Sequence, residues 1–465
     1  MGELQAVILA AGEGKRMRSA LPKVLHPLCG RPLLSYILDS AAAVAKDLVI
    51  VIGRGADQVR ETIGERWSYA VQEKQLGTGH ALMQALPYLP EEGCLLVLCG
   101  DTPLLEKGDL ERLLRAHGDS AATVMTAVPP DPTGYGRVIR GQDGSVLRIV
   151  EEGDASPAER DIGEINSGTY CFDLKLLRKF LPLLSPKNIQ QEYYLTDVLP
   201  LMREQGYLIG ACLNECWPAA QGINDRCQLA EAAAIMRGRI NRALMEQGVA
   251  MLDPSSTYID YGVRIEAETV LLPQTLIEGE TTIGSGCRIG PGAHLLSAQI
   301  GDGVVIRQSV VAESVIESGA TVGPFANIRP GCRIGPQVRI GDFVEVKNST
   351  IGAKSKLPHH SYAGDVDIEG EVNIGAGVIV ANFDGRRKHR SLIREGAFIG
   401  CNSNLISPVE IGAGAFVAAG STVTDDVPAG ALAITRSEQK NCAGLGKRML
   451  GKEERQEKKE SAEKE

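Results

Sequence analysis

The stretch TIGSGCRIGPG, Thr282 to Gly292, places isoleucine at 283 and 289, each followed by glycine. A helix repeats every 3.6 residues and a strand every two, so neither accounts for a spacing of six. Outward from this stretch the same spacing runs through Ile265, Leu271, Ile277, Ile283, Ile289 and Leu295. A second run holds Val304, Val310, Ile316, Val322, Ile328, Ile334, Ile340 and Val346; a third holds Ile393, Ile399, Leu405, Ile411, Val417 and Val423. A period of six predicts a β-helix in which each hexapeptide supplies one short strand and one corner. The aliphatic side chain fills the shaft, while small and turn-forming residues allow the corner. Three units per coil give roughly ten coils. The phase slips by one residue between Val346 and Ile351 and between Ala363 and Ile368. It is lost at ANFDGRRKHR (Ala381 to Arg390), a cationic insertion expected to form a loop on the binding face.

The first half follows a different rule. QAVILAA, DLVIVIG and CLLVLCGD read as buried strands, and PLLSYILDSAAAVA and GHALMQALPYL carry helical spacing. Alternating strands and helices predict a doubly wound, mostly parallel α/β sheet. Ligands then bind beyond the carboxyl ends of the strands, which singles out Gly12 and Asp101. Residues 224–250 read as a linker helix with Leu229, Ala233, Met236, Ile240 and Leu244 on one face. The expected domains are 1–223, the helix 224–250, the β-helix 251–436, and a charged tail 437–465. That tail ends in GKEERQEKKESAEKE and is expected to be disordered or a frayed helix.

Composition narrows the function. The 465 residues carry a formal net charge of −9, which argues against bulk nucleic-acid binding but not against a small phosphorylated substrate. No run of about 20 apolar residues predicts membrane insertion, and the N-terminus has no signal-peptide pattern. The eleven cysteines include no C-x-x-C pair, and no Cys/His cluster has ligand spacing. Reduced thiols, a cytoplasmic location and no zinc site are therefore expected.

LAAGEGKRM (Leu9 to Met17) is a glycine-rich turn with cations. It fails the P-loop template, which wants Gly at Leu9 and Ser or Thr at Arg16. Met17 also breaks G-x-G-x-x-G. What survives is a backbone that Gly12 and Gly14 open to a phosphate, with Lys15, Arg16, Arg18 and then Lys23 supplying charge.

Taken with VQEKQLGTGHA, CGDTPLL, GYGRV, IVEEGDA, INSGTY and GIND, this turn resembles the signature of the sugar nucleotidyltransferases. Within that group the first half is similar to uridylyltransferases acting on N-acetylglucosamine 1-phosphate. The resemblance implies that Leu9, Ala10, Ala11 and Gly12 line the nucleotide, and that Gln72, Gly77 and Thr78 select uracil. It puts Lys23 and Arg16 at the triphosphate as catalytic cations, and Asp101 and Asn224 on Mg²⁺, with Cys99 and Gly100 close by. Gly136, Glu151 and Asn166 would contact the sugar. Two departures stand out: Lys15 where the family prefers a hydroxyl, and Cys99 where it often has an aromatic residue.

The second half carries FANIRPG, VEVKNS, KSKLPHHSYAGD, NIGAGVIVANFDG, VAAGSTV and ALAITR. It resembles the acetyltransferase half of the bifunctional bacterial enzymes that make UDP-N-acetylglucosamine for peptidoglycan and other envelope polysaccharides. The resemblance implies a left-handed parallel β-helix that assembles as a homotrimer with sites between neighbouring prisms. It also implies acetyl transfer from acetyl-CoA to glucosamine 1-phosphate, followed by uridylyl transfer from UTP. An amine attacking a thioester must lose a proton, and histidine is the natural base near neutral pH. The motif spacing selects His359, and neighbours on extended backbone point apart, so His360 keeps a structural role. Arg329 and Lys347 would bind the sugar phosphate; Tyr362 and Asn373 would hold the sugar. Ala376, Asn382, Phe383, Cys401, Ala419 and Arg436 correspond to acetyl-CoA contacts, with Phe383 and Cys401 replacing the more polar Tyr and Ser. Arg386, Arg387 and Lys388 offer cations for CoA phosphates. A non-catalytic regulatory relative would be expected to lack Asp101, Lys23, Asn224 or His359; all four are present.

Overall fold

A computed structural model describes residues 3–451, which form two compact units: 3–246 with 258–263, and 247–257 with 264 onward. In the first, strand Leu4–Ala10 lies between parallel strands Asp47–Ile52 and Cys94–Cys99, and Ser68–Val71 extends the sheet beyond Asp47–Ile52. Ile165–Asp173 runs antiparallel between Cys94–Cys99 and Ala122–Ala127, and Ile209–Leu213 closes that edge in parallel. The sheet is thus mostly parallel, as its uninterrupted apolar strands require.

Both faces are covered. Ala6 and Ile8 pack with Ile50, Leu96 and Leu98 under the helices Leu33–Ala42, Ala56–Ile63 and Lys107–His117. Val7, Val49, Val51, Leu95 and Val97 pack on the other face under Thr78–Ala85, Leu174–Phe180 and Val198–Glu204. Successive strand residues point to opposite faces, so every position of these strands meets a core. The helix Arg226–Glu246 is no free arm. Ala232 and Met236 are buried against Leu28, Leu33, Tyr36, Leu104 and Ile223, so the first unit runs past the 223/224 boundary read from composition.

The second unit is a left-handed parallel β-helix of three sheets; among the described residues these have 11, 10 and 9 strands, the 10-stranded one counted with Tyr258–Ile259. Each strand pairs in parallel with the third strand after it until the last coil, where Phe416–Val417 pairs with Leu432–Ala433, the second after it. One coil spans 16 to 18 residues, as in Ile300 to Ile316, Ile283 to Ile300 and Ile265 to Ile283. The inward positions are aliphatic and almost fully buried; Leu271, Ile277, Ile306, Val311, Ile334, Val346 and Leu405 are all 0 % exposed. Burying each such side chain contributes about 1.5–3 kcal/mol.

Two positions in the expected ladder are corrected. Val310 points outward and is 40 % exposed, while Val311 takes the inward place; Val304 is buried two residues before the true rung, Ile306. Five-residue steps at Leu295–Ile300, Ile306–Val311 and Val311–Ile316 cause the difference, because a one-residue slip turns a strand over. The corners use left-handed backbone at Phe325, Phe343 and His360. Their rings stack in a column at 5.3 and 5.0 Å. His360 is therefore a corner residue rather than an extended one.

Among the described residues no helix is long and apolar enough to cross a membrane. The charge-dense tail read from sequence lies outside the described residues from 452 onward. The corrected register is testable by denaturant unfolding. Ile306→Ala should cost about 2–5 kcal/mol, whereas Val310→Ala should stay within about 0.5 kcal/mol. Equal costs at the two positions would contradict the register.

Candidate functional sites

The first site lies at the carboxyl ends of Leu4–Ala10 and Cys94–Cys99. A cleft of about 520 Å³ is lined there by Leu9 to Gly12, Arg16, Lys23, Gln72, Gly77, Thr78, Cys99, Asp101 and Asn224. At its centre the Lys23 ammonium forms an ion pair with Asp101 and donates to Asn224 Oδ1 at 3.1 Å. The Lys23 and Asp101 side chains are only 13 % and 17 % exposed, so solvent screens this pair less than a surface one. Asn224 is set by the Gln228 side chain, which accepts from its backbone N–H at 2.7 Å. Asp101 is set by Ile223, whose N–H donates to its carbonyl at 2.9 Å.

The two glycines of the turn are not equivalent. Gly14 has φ +62°, and a Cβ there would sit 2.8 Å from Lys23 Cβ; around Gly12 there is open space. Gly14 is what lets the turn close over Lys23. Lys15 is paired with Glu13 at 2.5 Å and its side chain is 81 % exposed, so its charge is balanced within the loop. It adds no unpaired cation to the cleft.

Gln72 is buried, and its amide donates to Gly77 O at 3.1 Å and meets His80 Nδ1 at 3.0 Å. His80, which sequence reading passed over, therefore orients the residue expected to read the base. The Thr78 hydroxyl accepts from Leu195 N–H at 3.0 Å. The Cys99 thiol, pushed up to about 12 by burial and the neighbouring Asp101, donates to Gly168 O at 3.4 Å. It braces the bulged INSGTY stretch of the strand Ile165–Asp173. Gly100 packs against Ala10, Val24 and Leu34 and lies outside the cleft lining.

Gly136, Glu151 and Asn166 also lie outside that lining but form their own group. Asn166 N–H donates to Gly136 O at 2.8 Å, and a Cβ on Gly136 would lie 3.2 Å from the Glu151 carboxylate. Burial raises Glu151, which accepts from Thr196 Oγ1 at 3.3 Å.

The second site is on the β-helix. His359 and Asp342 stand at the same point of successive coils, and His359 Nδ1 is paired with the Asp342 carboxylate. His360 Nε2 approaches the other carboxylate oxygen at 3.7 Å. The hydrogen bond from His359 holds Asp342 below the usual carboxylate range. Asp342 went unnoticed in the sequence, although its distance from His359 equals one coil. The same corner continues through later coils: Asn402 N–H donates to Ala376 O at 2.7 Å, Gly420 N–H to Cys401 O at 2.8 Å, and Arg436 Nη1 to Ala419 O at 2.8 Å.

Arg329, Lys347 and Tyr362 lie along the 10-stranded sheet, where Tyr362 pairs in register with Glu345. Arg329 is held by Glu345 at 2.8 Å. Lys347 is drawn down by the neighbouring Lys388 ammonium, with Arg329 adding to the crowding. Lys388 thus stands with the expected sugar-phosphate cations. Asn373 is on the adjoining 11-stranded sheet.

The expected acetyl-CoA residues divide between two corners. Ala376, Cys401, Ala419 and Arg436 share the His359 corner, whereas Asn382 and Phe383 follow the strand Ile379–Ala381 at the next one. Asn382 is buried and donates to Asp365 at 2.5 Å, and Asn348 donates to the same carboxylate at 2.5 Å.

The fold and the two sites define a transferase with a nucleotidyltransferase unit and a hexapeptide transferase unit. Residues 6–159 match the MobA-like NTP transferase domain, and 313–348 and 390–425 match the bacterial transferase hexapeptide (six repeats). The chain is 49 % identical to the bifunctional protein GlmU of Brevibacillus brevis over 98 % of its own length and 100 % of the relative's. It is 50 % identical to that of Geobacillus thermodenitrificans over 96 % and 98 %, and 49 % identical to that of Heliobacterium modesticaldum over 95 % and 97 %. It belongs to the family of bifunctional GlmU proteins.

Two outcomes follow from this geometry. Gly14→Ala should destabilise the first unit by about 1–2 kcal/mol through its left-handed backbone, while Gly12→Ala should leave the unfolding midpoint near wild type. Asp384 is pulled down to about 2 by the Arg387 and Arg386 N–H groups and by His389. Its folded value is depressed, so the loop contacts are present above the ordinary carboxylate range and are lost as pH falls through about 2. Amide exchange at Arg386 and Arg387 should therefore stay slow at pH 3.5; fast exchange there would count against the arrangement.

Proposed function

We propose that the chain makes UDP-N-acetylglucosamine in two steps at its two sites. On the β-helix, acetyl passes from acetyl-CoA to the amine of glucosamine 1-phosphate, releasing CoA. In the cleft, N-acetylglucosamine 1-phosphate attacks the α-phosphorus of UTP, releasing pyrophosphate. The product feeds peptidoglycan and other envelope polysaccharides, and a cytoplasmic location suits both nucleotide co-substrates.

The Asp342–His359 pair carries the reading, because it separates an acetyl-transferring β-helix from one that only assembles subunits. Asp342 is an acceptor, so Nδ1 of His359 carries the proton and Nε2 is left basic. Nε2 takes the proton that the amine loses as it attacks the thioester carbonyl. Arg329, Lys347 and Lys388 are crowded cations, an arrangement that a phosphate dianion relieves.

In the cleft, Gln72 held by His80 reads uracil, and Arg16 and Lys23 neutralise charge as two anions approach. Asp101 and Asn224 present hard oxygen donors that already share one cation, the Lys23 ammonium, which fits a Mg²⁺ site. Bound there, Mg²⁺ would neutralise the triphosphate. Gly136, Glu151 and Asn166 hold the sugar. Ala376, Cys401, Ala419 and Arg436 line acetyl-CoA from the His359 corner. Phe383 reaches it in a homotrimer from a neighbouring prism, with Asn382 holding that corner in shape through Asp365.

Separate assays test this. His359→Ala should lower acetyl transfer about 10²–10⁴-fold, and Asp342→Asn should cause a smaller part of that loss. Both should leave uridylyl transfer near wild type, and Asp101→Ala should show the converse. Loss of both activities from one substitution in folded protein would sink the two-site reading. Loss in His360→Ala with retention in His359→Ala would move the base by one residue.

A further inference from the structure

Cys94 opens the strand whose far end leads to Asp101, and Cys171 lies on the antiparallel strand beside it. Asp173 is directly opposite Cys94, so Cys171, two residues earlier, projects from the same face as a diagonal neighbour. Their sulfurs are 3.0 Å apart, and both are free thiols. His117 ends the helix Lys107–His117 and is 6 % exposed. A ring nitrogen of His117 and the two sulfurs all lie within 4.8 Å of one another. Thr123 Oγ1, 3.0 Å from His117 Nδ1, fixes the ring. A cavity of about 430 Å³ opens on the group, lined by Gly93, Cys94, His117, Ser120 and Asp173 among others.

We propose that Cys94, His117 and Cys171 form a binding site for a borderline-soft divalent cation of the Zn²⁺ class, separate from the nucleotide cleft and independent of the function proposed above. Two sulfurs and an imidazole select such an ion over Mg²⁺. Zn–S bonds of about 2.3 Å in a tetrahedron place the sulfurs roughly 3.8 Å apart, so they need separate by less than about 1 Å from their present positions. The cavity leaves room for water as a fourth ligand. Binding releases the two thiol protons, and two thiolates balance the ion's charge.

A disulfide fits less well. Diagonal cross-strand neighbours have Cα atoms about 7–8 Å apart, beyond the 4.4–6.8 Å that a disulfide spans. The three ligands are far apart in the chain, which is why spacing alone gave no zinc site.

The test uses full-length protein, stripped of metal under reducing conditions and titrated with Zn²⁺, with Co²⁺ as a spectroscopic probe. Wild type should bind one Zn²⁺ per chain at this site, rise in melting temperature, and lose alkylation of Cys94 in peptide mapping. Co²⁺ should give thiolate charge-transfer absorption. Cys94 is only partly buried, so Cys94→Ser should keep the fold by circular dichroism yet weaken Zn²⁺ binding more than the 10- to 100-fold typical of losing an outer-shell partner. His117→Gln should abolish the Co²⁺ spectrum. The proposal is overturned if Cys94→Ser binds as wild type does, or if Zn²⁺ protects only the exposed Cys216, Cys227, Cys401 and Cys442.

Discussion

Each six-residue unit of the β-helix must bury one aliphatic side chain, and the placement of every other group in that unit depends on it. A strand displaced by one residue would expose its rung and bury a polar neighbour, so the register is fixed wherever a rung exists. With the register fixed, residues one coil apart stand over one another. This is how Asp342 comes under His359 and Glu345 under Arg329, and how Asn348 and Asn382 come to flank Asp365. None of these pairs is near in sequence, and each holds a residue expected to bind or react, or its immediate neighbour.

The first unit solves a similar problem with different means. Its central parallel strands are buried on both faces, so the groups of the cleft lie at their carboxyl ends, where Asp101 follows Cys99 and the turn follows Ala10. Gly14 then brings Lys23 against Asp101 and Asn224. The resulting cation is enclosed and paired, whereas on the β-helix the half-buried Lys347 and the exposed Lys388 crowd each other. Burial strengthens the attraction within the first arrangement, and the crowding in the second is what a bound anion would relieve.

Much of this was legible in the sequence, and the failures have physical causes. The three aliphatic runs and the strands of the α/β sheet followed from period and pattern, and the residues of the cleft from the family resemblance. Val310 was misplaced because five-residue steps carry no sequence mark when the next residue is also valine, as Val311 is. Asp342 and His80 were missed because a positioning residue is defined by its partner, and the partner's coil or turn had first to be placed. Lys15 stood as an unexplained cation beside the phosphates until Glu13, two residues before it, proved to take its charge. Cys94, His117 and Cys171 show the limit of spacing arguments, since a sheet and a helix end bring together ligands that no local motif relates.

The division of the expected acetyl-CoA residues between two corners has a consequence for assembly. A corner of a triangular prism presents its side chains outward, so Ala376 and Cys401 on one corner cannot face the same ligand as Phe383 on the next within one prism. Phe383 is 59 % exposed, which suits a contact made outside its own coil, whereas Asn382 spends its amide on Asp365 and acts by holding the corner in shape. On the proposed reading, a ligand lying along the His359 corner meets Phe383 only from a second copy of the chain. Acetyl transfer would then require assembly, while the nucleotide cleft, whose lining belongs to one unit of one chain, would not.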